Sequence, residues 1–157
     1  MDRVPTAKQA PILVSACLAG FPCRYDCKSK PNREVMILVA AGLALPVCPE
    51  QLGGLPTPRS AAEIVGGDGH DVLAGKARVI NGTGADVSDE FVRGARAVAQ
   101  LARLYGVKIA LLQERSPSCG TSQVYDGTFS RRLRPGAGVA AARLAQLGIE
   151  VKTVNDK

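Results

Sequence analysis

Arg115-Ser116-Pro117-Ser118-Cys119-Gly120 follows the largely apolar segment that runs from Val107 to Leu112. A short apolar run bounded by polar and turn-forming residues is typical of a buried strand. We therefore predict a strand here that ends in a loop, and this loop carries two serines, a cysteine and a glycine.

The same order, an apolar run and then a cysteine, occurs twice earlier in the chain. Ile12 to Ala16 precedes Cys17, and Leu43 to Val47 precedes Cys48. In an open α/β sheet the carboxyl ends of parallel strands share one edge, where ligands bind. We predict that Cys17, Cys48 and Cys119 meet at this edge and hold one metal centre.

Helical patterns separate the predicted strands. Asn32 is expected to cap a helix through Ala41, and Ser88 to cap a longer helix that stops at Gly106. The predicted last helix covers 138–147, and the last strand covers 149–154. Residues 49–87 are expected to form a long functional loop interrupted by a short strand at 77–80, and residues 121–135 to be irregular.

This alternation of strands and helices predicts the fold class. We expect a single α/β domain over residues 11–157, with a mainly parallel, Rossmann-like sheet flanked by helices on both faces. Residues 1–10 are expected to be a loose N-terminal leader.

Composition narrows the class of protein further. The 157 residues are 46% hydrophobic and 22% charged, which is ordinary for a globular domain. No apolar run approaches the roughly 18 residues of a membrane span, and the first ten residues are not expected to form a signal peptide. We predict a cytoplasmic protein, in which the five cysteines are not expected to form disulfides.

The net charge of +6 raises the question of a nucleic-acid partner. The basic residues are scattered, and aromatic residues make up only 4% of the chain, so no stacking platform is visible. We expect a basic surface without nucleic-acid binding. The pattern leaves the oligomeric state open.

The spacing of the cysteines bears on the kind of metal centre. Cys17, Cys48 and Cys119 lack the paired CxxC spacing of structural zinc, and three thiolates leave one coordination position open for Lewis-acid chemistry. Cys23 and Cys27 complete the pattern C-x5-C-x3-C with Cys17. We interpret these two as spectators or as a secondary set of ligands.

Polar residues beside the three cysteines are candidates for proton transfer. Glu50 follows Cys48 by two residues, and a carboxylate in a water-poor site can move protons near neutral pH. Ser116 and Ser118 can each donate to a ligand or cap the turn, and the local sequence does not separate these roles.

Three arginines lie in the loops that carry the cysteines. They either offset the negative charge of the thiolates or lie at the surface. They are Arg24, Arg59 and Arg115.

Five motifs in this order resemble the thiouracil desulfidase family over about residues 12–154. They are Val14-Ser15-Ala16-Cys17-Leu18-Ala19-Gly20, Cys23-Arg24-Tyr25-Asp26, Val47-Cys48-Pro49-Glu50 with Leu52-Gly53-Gly54-Leu55-Pro56-Thr57-Pro58-Arg59, Ser116-Pro117-Ser118-Cys119-Gly120, and Tyr125-Asp126-Gly127. The resemblance implies a desulfidase that carries a [4Fe-4S] cluster on Cys17, Cys48 and Cys119.

The resemblance also implies a reaction. The thiocarbonyl sulfur of a thiolated pyrimidine such as 2-thiouracil would bind the iron that no cysteine holds. Water would replace the sulfur without net redox change, giving uracil and hydrogen sulfide. Glu50 and Ser116, together with Ser118, match the assisting acidic and hydroxyl residues.

One position departs from the family pattern: Cys27 stands where relatives carry glycine. The first loop is therefore not certain to form the turn that glycine forms in those relatives.

Two other functions fit the same cysteines. One is a non-catalytic iron–sulfur or zinc sensor. The other is a persulfide sulfur carrier, in which Cys23 or Cys27 acts as the resolving thiol.

Overall fold

A computed structural model describes residues 9–154 of the chain. Residues 1–8 of the predicted leader and 155–157 of the predicted domain lie outside the described residues. The strands are β1 Ile12–Ser15, β2 Ala44–Val47, β3 Ala62–Val65, β4 Arg78–Asn81, β5 Ile109–Leu112, β6 Gln123–Tyr125, β7 Leu133–Pro135 and β8 Glu150–Thr153. The helices are α1 Arg33–Ala40, α2 Pro49–Leu52, α3 Gly69–Leu73, α4 Ser88–Tyr105 and α5 Val139–Gln146, and a 3₁₀ helix covers Ala16–Ala19.

β1 lies inside a four-stranded sheet with the order β2-β1-β5-β8. Every pairing in this sheet is parallel: Leu13 of β1 pairs with Leu45 on one side and with Ala110 on the other. Leu13 and Val14 are both fully buried. Since successive side chains point to opposite faces of a strand, both faces of the sheet are covered.

Different helices cover the two faces. Leu13 packs in a cluster with Val98 of α4 and Leu144 of α5. Val14 packs in another cluster with Val35 of α1. The predicted α/β class and the mainly parallel sheet with helices on both faces are therefore confirmed.

Two glycines allow α2 to lie directly against α4. A Cβ added at Gly94 of α4 would overlap the Pro49 carbonyl oxygen, and one added at Gly53 would overlap the Glu90 carbonyl oxygen. Because α2 starts immediately after Cys48 and contains Glu50, this contact also positions the edge of the sheet.

Gly94→Ala is expected to destabilise the protein by about 1–3 kcal/mol, because the backbone of α2 must move to admit the new methyl group. Urea unfolding followed by circular dichroism measures this change. The control is Gln100→Ala at an exposed position of α4, which should leave the midpoint unchanged. An unchanged midpoint for Gly94→Ala would show that the contact is not tight.

The expected long loop at 49–87 is wrong, although the short strand predicted within it at 77–80 is confirmed as β4. The stretch contains α2, α3 and the hairpin of β3 and β4, in which Ile64 pairs with Val79. Asp68 opens α3, because its side chain accepts from the backbone N–H groups of His70 and Asp71. The expected irregular stretch 121–135 likewise contains the hairpin of β6 and β7. β3, β6 and β7 each contain a charged or amide residue and so lack the apolar run by which β1, β2 and β5 were recognised.

One of the two predicted helix caps is confirmed and the other is wrong. Asn32 caps α1 by accepting from the N–H of Val35, as predicted. Ser88 does not cap α4: the helix begins at Ser88 itself, and its hydroxyl accepts from the N–H of Val79. Ser88 therefore ties α4 to β4.

Over residues 9–154, no helix combines the length and apolar character needed to cross a membrane.

Candidate active site and metal centre

A cavity of about 430 Å³ lies at the carboxyl edge of the parallel sheet. Ser15 ends β1, Val47 ends β2 and Gln113 follows β5, and all three line this cavity. Cys17, Cys23, Cys48 and Cys119 also line it. The three strand ends singled out from the sequence thus deliver their cysteines to one space.

The loop that carries Cys119 is held by the start of α5. The N–H of Gly138 donates to Gly120 O at 2.8 Å, and the N–H of Val139 donates to Pro117 O at 2.8 Å. The N–H of Ala141 donates to Ser118 O at 3.0 Å. The first N–H groups of a helix have no partner within it, so the loop satisfies them while the helix fixes the loop.

Ser15 links the ends of two neighbouring strands. It is 2% exposed, and its hydroxyl accepts from the N–H of Gln113 at 2.9 Å. This bond joins the end of β1 to the residue that follows β5. The two strands that lead to Cys17 and Cys119 are therefore fixed relative to each other at the cavity.

Three thiols that line the cavity, those of Cys23, Cys48 and Cys119, have raised pKa values. Burial raises the pKa of Cys119 to about 12, and hydrogen bonding with Cys17 raises the pKa of Cys23 to about 11. Hydrogen bonding with Cys23 raises the pKa of Cys48. Without a cation the three thiols are protonated at neutral pH, and a bound metal would convert them to thiolates.

The arrangement of the thiols tests which metal centre fits. Among the residues of the described range 9–154, no three His, Cys, Asp or Glu side chains are close enough to hold a single metal ion. A mononuclear zinc site needs all sulfurs about 2.3 Å from one point. A cluster of several iron and sulfide atoms is larger, so thiols spread around a cavity of this size fit a cluster better.

A chain of hydrogen bonds connects Ser116, Ser118 and Glu50. Ser116 Oγ accepts from the N–H groups of Ser118 and Cys119, each at 3.1 Å. Both lone pairs of Ser116 are then used, so its hydroxyl hydrogen points to Ser118 Oγ at 3.0 Å. Ser118 is 2% exposed and donates to Glu50 Oε2 at 3.0 Å. The order of donation is Ser116 to Ser118 to Glu50.

Glu50 is held from its other side by Arg59. Arg59 Nε lies 2.9 Å from Glu50 Oε1, and the side chains are 6% and 14% exposed, respectively. Glu50 thus has one oxygen on a guanidinium group and the other on a hydroxyl. The structure brings Glu50, Ser116 and Ser118, the three candidates from the sequence, into one connected group.

Glu114 fastens the Cys119 loop to the segment that follows it. Its Oε1 accepts from the N–H groups of Arg115, Thr121, Ser122 and Gln123, and its Oε2 accepts from the hydroxyls of Thr121 and Ser122. Burial alone would raise the pKa of Glu114, but these hydrogen bonds outweigh it and lower the pKa to about 2.

Glu114→Gln is expected to lower the thermal midpoint at pH 7, because the amide cannot accept from all of these donors. Since the folded pKa of Glu114 is below its usual 4.5, the stability it contributes is complete above pH 4.5 and is lost as the pH falls towards about 2. Melting curves between pH 7 and pH 2 should show the difference from the natural protein shrinking across this range. Glu34→Gln, on the exposed side of α1, is the control, and a constant difference would contradict the role of Glu114.

Cys23 and Cys27 lie in different environments. Cys23 is buried and its thiol lies beside those of Cys17 and Cys48, whereas Cys27 is exposed. Cys27 has φ +63°, and its N–H donates to Arg24 O at 2.9 Å to close a turn. A left-handed residue is where glycine is favoured, so the first loop keeps a glycine-type turn despite its cysteine.

Arginines and tyrosines form the remaining rim of the cavity. Arg24, Arg115, Arg131, Tyr25 and Tyr125 all line it. Arg24 and Arg115 therefore lie at the cavity, as their loops indicated, and Arg59 lies inside rather than at the surface.

Sequence reasoning missed the contributions of Ser15 and Glu114. Ser15 directly precedes the 3₁₀ helix of Cys17, and a hydroxyl at a strand end was an available signal. Glu114 precedes Thr121 and Ser122 by seven and eight residues, and no local pattern connects residues so far apart.

The fold and the cavity define an α/β protein with a thiol-lined site beside a carboxylate and two hydroxyls. The 2-thiouracil desulfurase family matches residues 12–156, and the chain belongs to this family. It is similar to the uncharacterized protein YbbK of Bacillus subtilis (strain 168), with 42% identity over 145 residues, which cover 92% of this chain and 96% of YbbK.

A solved structure shows the same fold. It is that of the [4Fe-4S]-dependent thiouracil desulfidase TudS, with a TM-score of 0.81 and 41% identity. The match covers 92% of this chain and 91% of that one. The family resemblance read from the five motifs is therefore confirmed.

Proposed function

We propose that this chain is a desulfidase that converts a thiolated nucleobase such as 2-thiouracil to uracil and hydrogen sulfide with a [4Fe-4S] cluster. Cys17, Cys48 and Cys119 would hold the cluster. The observation that carries the proposal is one cavity of about 430 Å³ lined by these three cysteines and by Glu50 and Ser118. The name of the solved relative, a [4Fe-4S]-dependent thiouracil desulfidase, supports it.

The state of the thiols favours a cluster over a persulfide carrier. A carrier needs a thiolate with a lowered pKa, whereas the pKa of Cys23 is raised to about 11 and that of Cys119 to about 12. Cys27, a candidate resolving thiol, is exposed, whereas Cys119 is buried, so the two thiols lie in different environments. Buried thiols that need a cation to ionise are suited to metal ligation.

The cluster, when bound, supplies a thiophilic Lewis acid that withdraws electrons from the C=S carbon. Glu50 would take a proton from water, and the oxygen of that water would replace the sulfur. In the balanced reaction, C=S and H₂O give C=O and H₂S, so no oxidant or reductant is needed. Glu50 would pass the two protons of the water in turn to the departing sulfur, which leaves as H₂S, while Ser118, oriented by Ser116, donates a hydrogen bond that holds the carboxylate.

The cavity suits a small flat heterocycle. Its volume falls within the range of about 300–1,000 Å³ that is usual for small-molecule sites. Tyr25 and Tyr125 line it and offer aromatic surfaces for a pyrimidine ring, and such stacking is worth about 1–3 kcal/mol per base.

The protein is expected to bind about four irons after anaerobic reconstitution, to become brown, and to release sulfide from 2-thiouracil. Cys119→Ala should reduce both iron content and turnover, because the cluster loses one of its three ligands. Iron analysis, the absorption spectrum and a sulfide assay measure these changes.

The matched control is Cys27→Ala, which removes an exposed thiol and should keep both iron and activity. Full activity of Cys119→Ala would overturn the ligand assignment. Stoichiometric zinc without turnover would favour the sensor, and turnover without iron would favour the sulfur carrier.

Glu50→Gln is expected to lower kcat by about 10²–10⁴-fold, the range for loss of a positioned general base. Ser118→Ala should lower kcat less, because it removes a partner of the carboxylate and not the carboxylate itself. Steady-state kinetics at equal iron content separates these effects from loss of the cluster. Unchanged kcat in Glu50→Gln would exclude Glu50 as the base, and Glu34→Gln serves as the surface control.

A further inference from the structure

We propose that Arg59 is a positioning residue that holds the Glu50 carboxylate in its working orientation. This inference rests on the proposed function, since it concerns the base of that reaction. The sequence alone leaves Arg59 as one of three loop arginines, with a surface position as an equal alternative. In the structure its side chain is only 6% exposed.

The guanidinium group of Arg59 contacts three separate segments. Nε donates to Glu50 Oε1 at 2.9 Å, and Nη2 donates to Cys23 O at 2.9 Å. Nη1 donates to Thr57 Oγ1 at 2.8 Å and to Pro56 O at 3.1 Å. Each nitrogen of the fork therefore has a defined partner, and the planar group is fixed in one orientation.

This fixed group determines the orientation of Glu50. Its Oε1 is held by Arg59 and its Oε2 by Ser118 at 3.0 Å, so rotation about the last side-chain bond would break both contacts. The contact of α2 with α4 fixes the backbone of Glu50, so the hydrogen bonds of the carboxylate decide the orientation of its side chain. Removing Arg59 would also leave a largely buried carboxylate without its cation.

Arg59 also connects Glu50 to the first cysteine loop. The Cys23 carbonyl that accepts from Nη2 also accepts from Cys48 Sγ at 3.8 Å, and the backbone N–H of Arg59 donates to Tyr25 O at 2.9 Å. The position of the carboxylate is thereby set relative to the thiols that line the same cavity.

A second cavity of about 180 Å³ is also lined by this pair. Glu50 and Arg59 line both cavities, and Phe91 and Leu55 are among the other residues that line the second one. The ion pair thus forms part of the wall between the two spaces. Glu50 would otherwise have room to turn away from the thiol-lined cavity.

Lysine cannot replace this arrangement, because a single ammonium group cannot bridge Glu50, Thr57 and the Cys23 carbonyl at once. In the reconstituted protein, Arg59→Gln is expected to lower kcat for 2-thiouracil by about 100-fold, with KM changed less than about threefold. The reason is that losing the cation frees the carboxylate and leaves the surfaces that bind the ring in place. Arg59→Lys should lower kcat by about tenfold, because it keeps the charge and loses the fork. Iron content and the cluster spectrum should match those of the natural protein.

A double-mutant cycle with Glu50→Gln separates positioning from general structural damage. If Arg59 acts through Glu50, adding Arg59→Gln to Glu50→Gln should cost no more than about twofold in kcat. The control is Arg93→Gln, at an exposed arginine whose Nη1 donates to Gly53 O at 2.9 Å, and it should leave kcat unchanged. Full activity of Arg59→Gln, or an equal loss in both backgrounds, would overturn the inference.

Thermal melting of the natural protein, Arg59→Gln, Glu50→Gln and the double variant tests the pairing without an activity assay. Arg59→Gln should lower the thermal midpoint more in the natural background than in the Glu50→Gln background, and equal shifts would overturn the pairing. If the natural protein shows no turnover, the proposed function fails, and the midpoints still decide the role of Arg59. If Arg59→Gln does not fold, Arg59→Lys takes its place in both cycles.

Discussion

The site depends on the contact between the Cys119 loop and the first turn of α5. A loop that carries two serines and a cysteine has no fixed shape of its own, and its carbonyl groups need partners once they are buried. The N–H groups of Gly138, Val139 and Ala141 supply those partners, and they belong to a helix packed on the sheet. The same bonds satisfy the helix and set the direction of Ser118 and Cys119. One wall of the cavity is therefore tied to a helix of the core.

A series of hydrogen bonds leads from this loop to the other groups of the site. Ser118 is fixed by the loop and meets Glu50, Glu50 meets Arg59, and Arg59 meets the carbonyl of Cys23. Each group uses its hydrogen-bonding capacity on the next one. A network in which every buried polar group has a partner favours one arrangement over its alternatives. It also means that each member owes its orientation to residues far away in the chain.

The sequence predicted the parallel sheet well, because β1, β2 and β5 are short apolar runs with a cysteine soon after each end. It also placed the boundaries of α1 and α5 within one or two residues. It predicted β4 as a short strand at 77–80 but missed its partner β3 and the hairpin of β6 and β7, since these strands carry polar residues and are stabilised by their partners.

For the candidate site, the sequence identified the residue types and missed their connections. Glu50, Ser116 and Ser118 were chosen because they flank cysteines, and the structure joins them in one chain. The direction of that chain follows from which lone pairs the backbone uses, and spacing along the sequence carries no such information. The anchoring of Glu114 and the burial of Arg59 depend in the same way on contacts across turns.

The left-handed turn at Cys27 has a practical consequence. Among the five cysteines this is the one that the fold leaves exposed, while Cys17, Cys23 and Cys119 are buried. A maleimide dye or spin label added to the folded protein would attach at this position in preference to those three. Because this turn lies two residues from Tyr25, which lines the cavity, such a probe would report from beside the site.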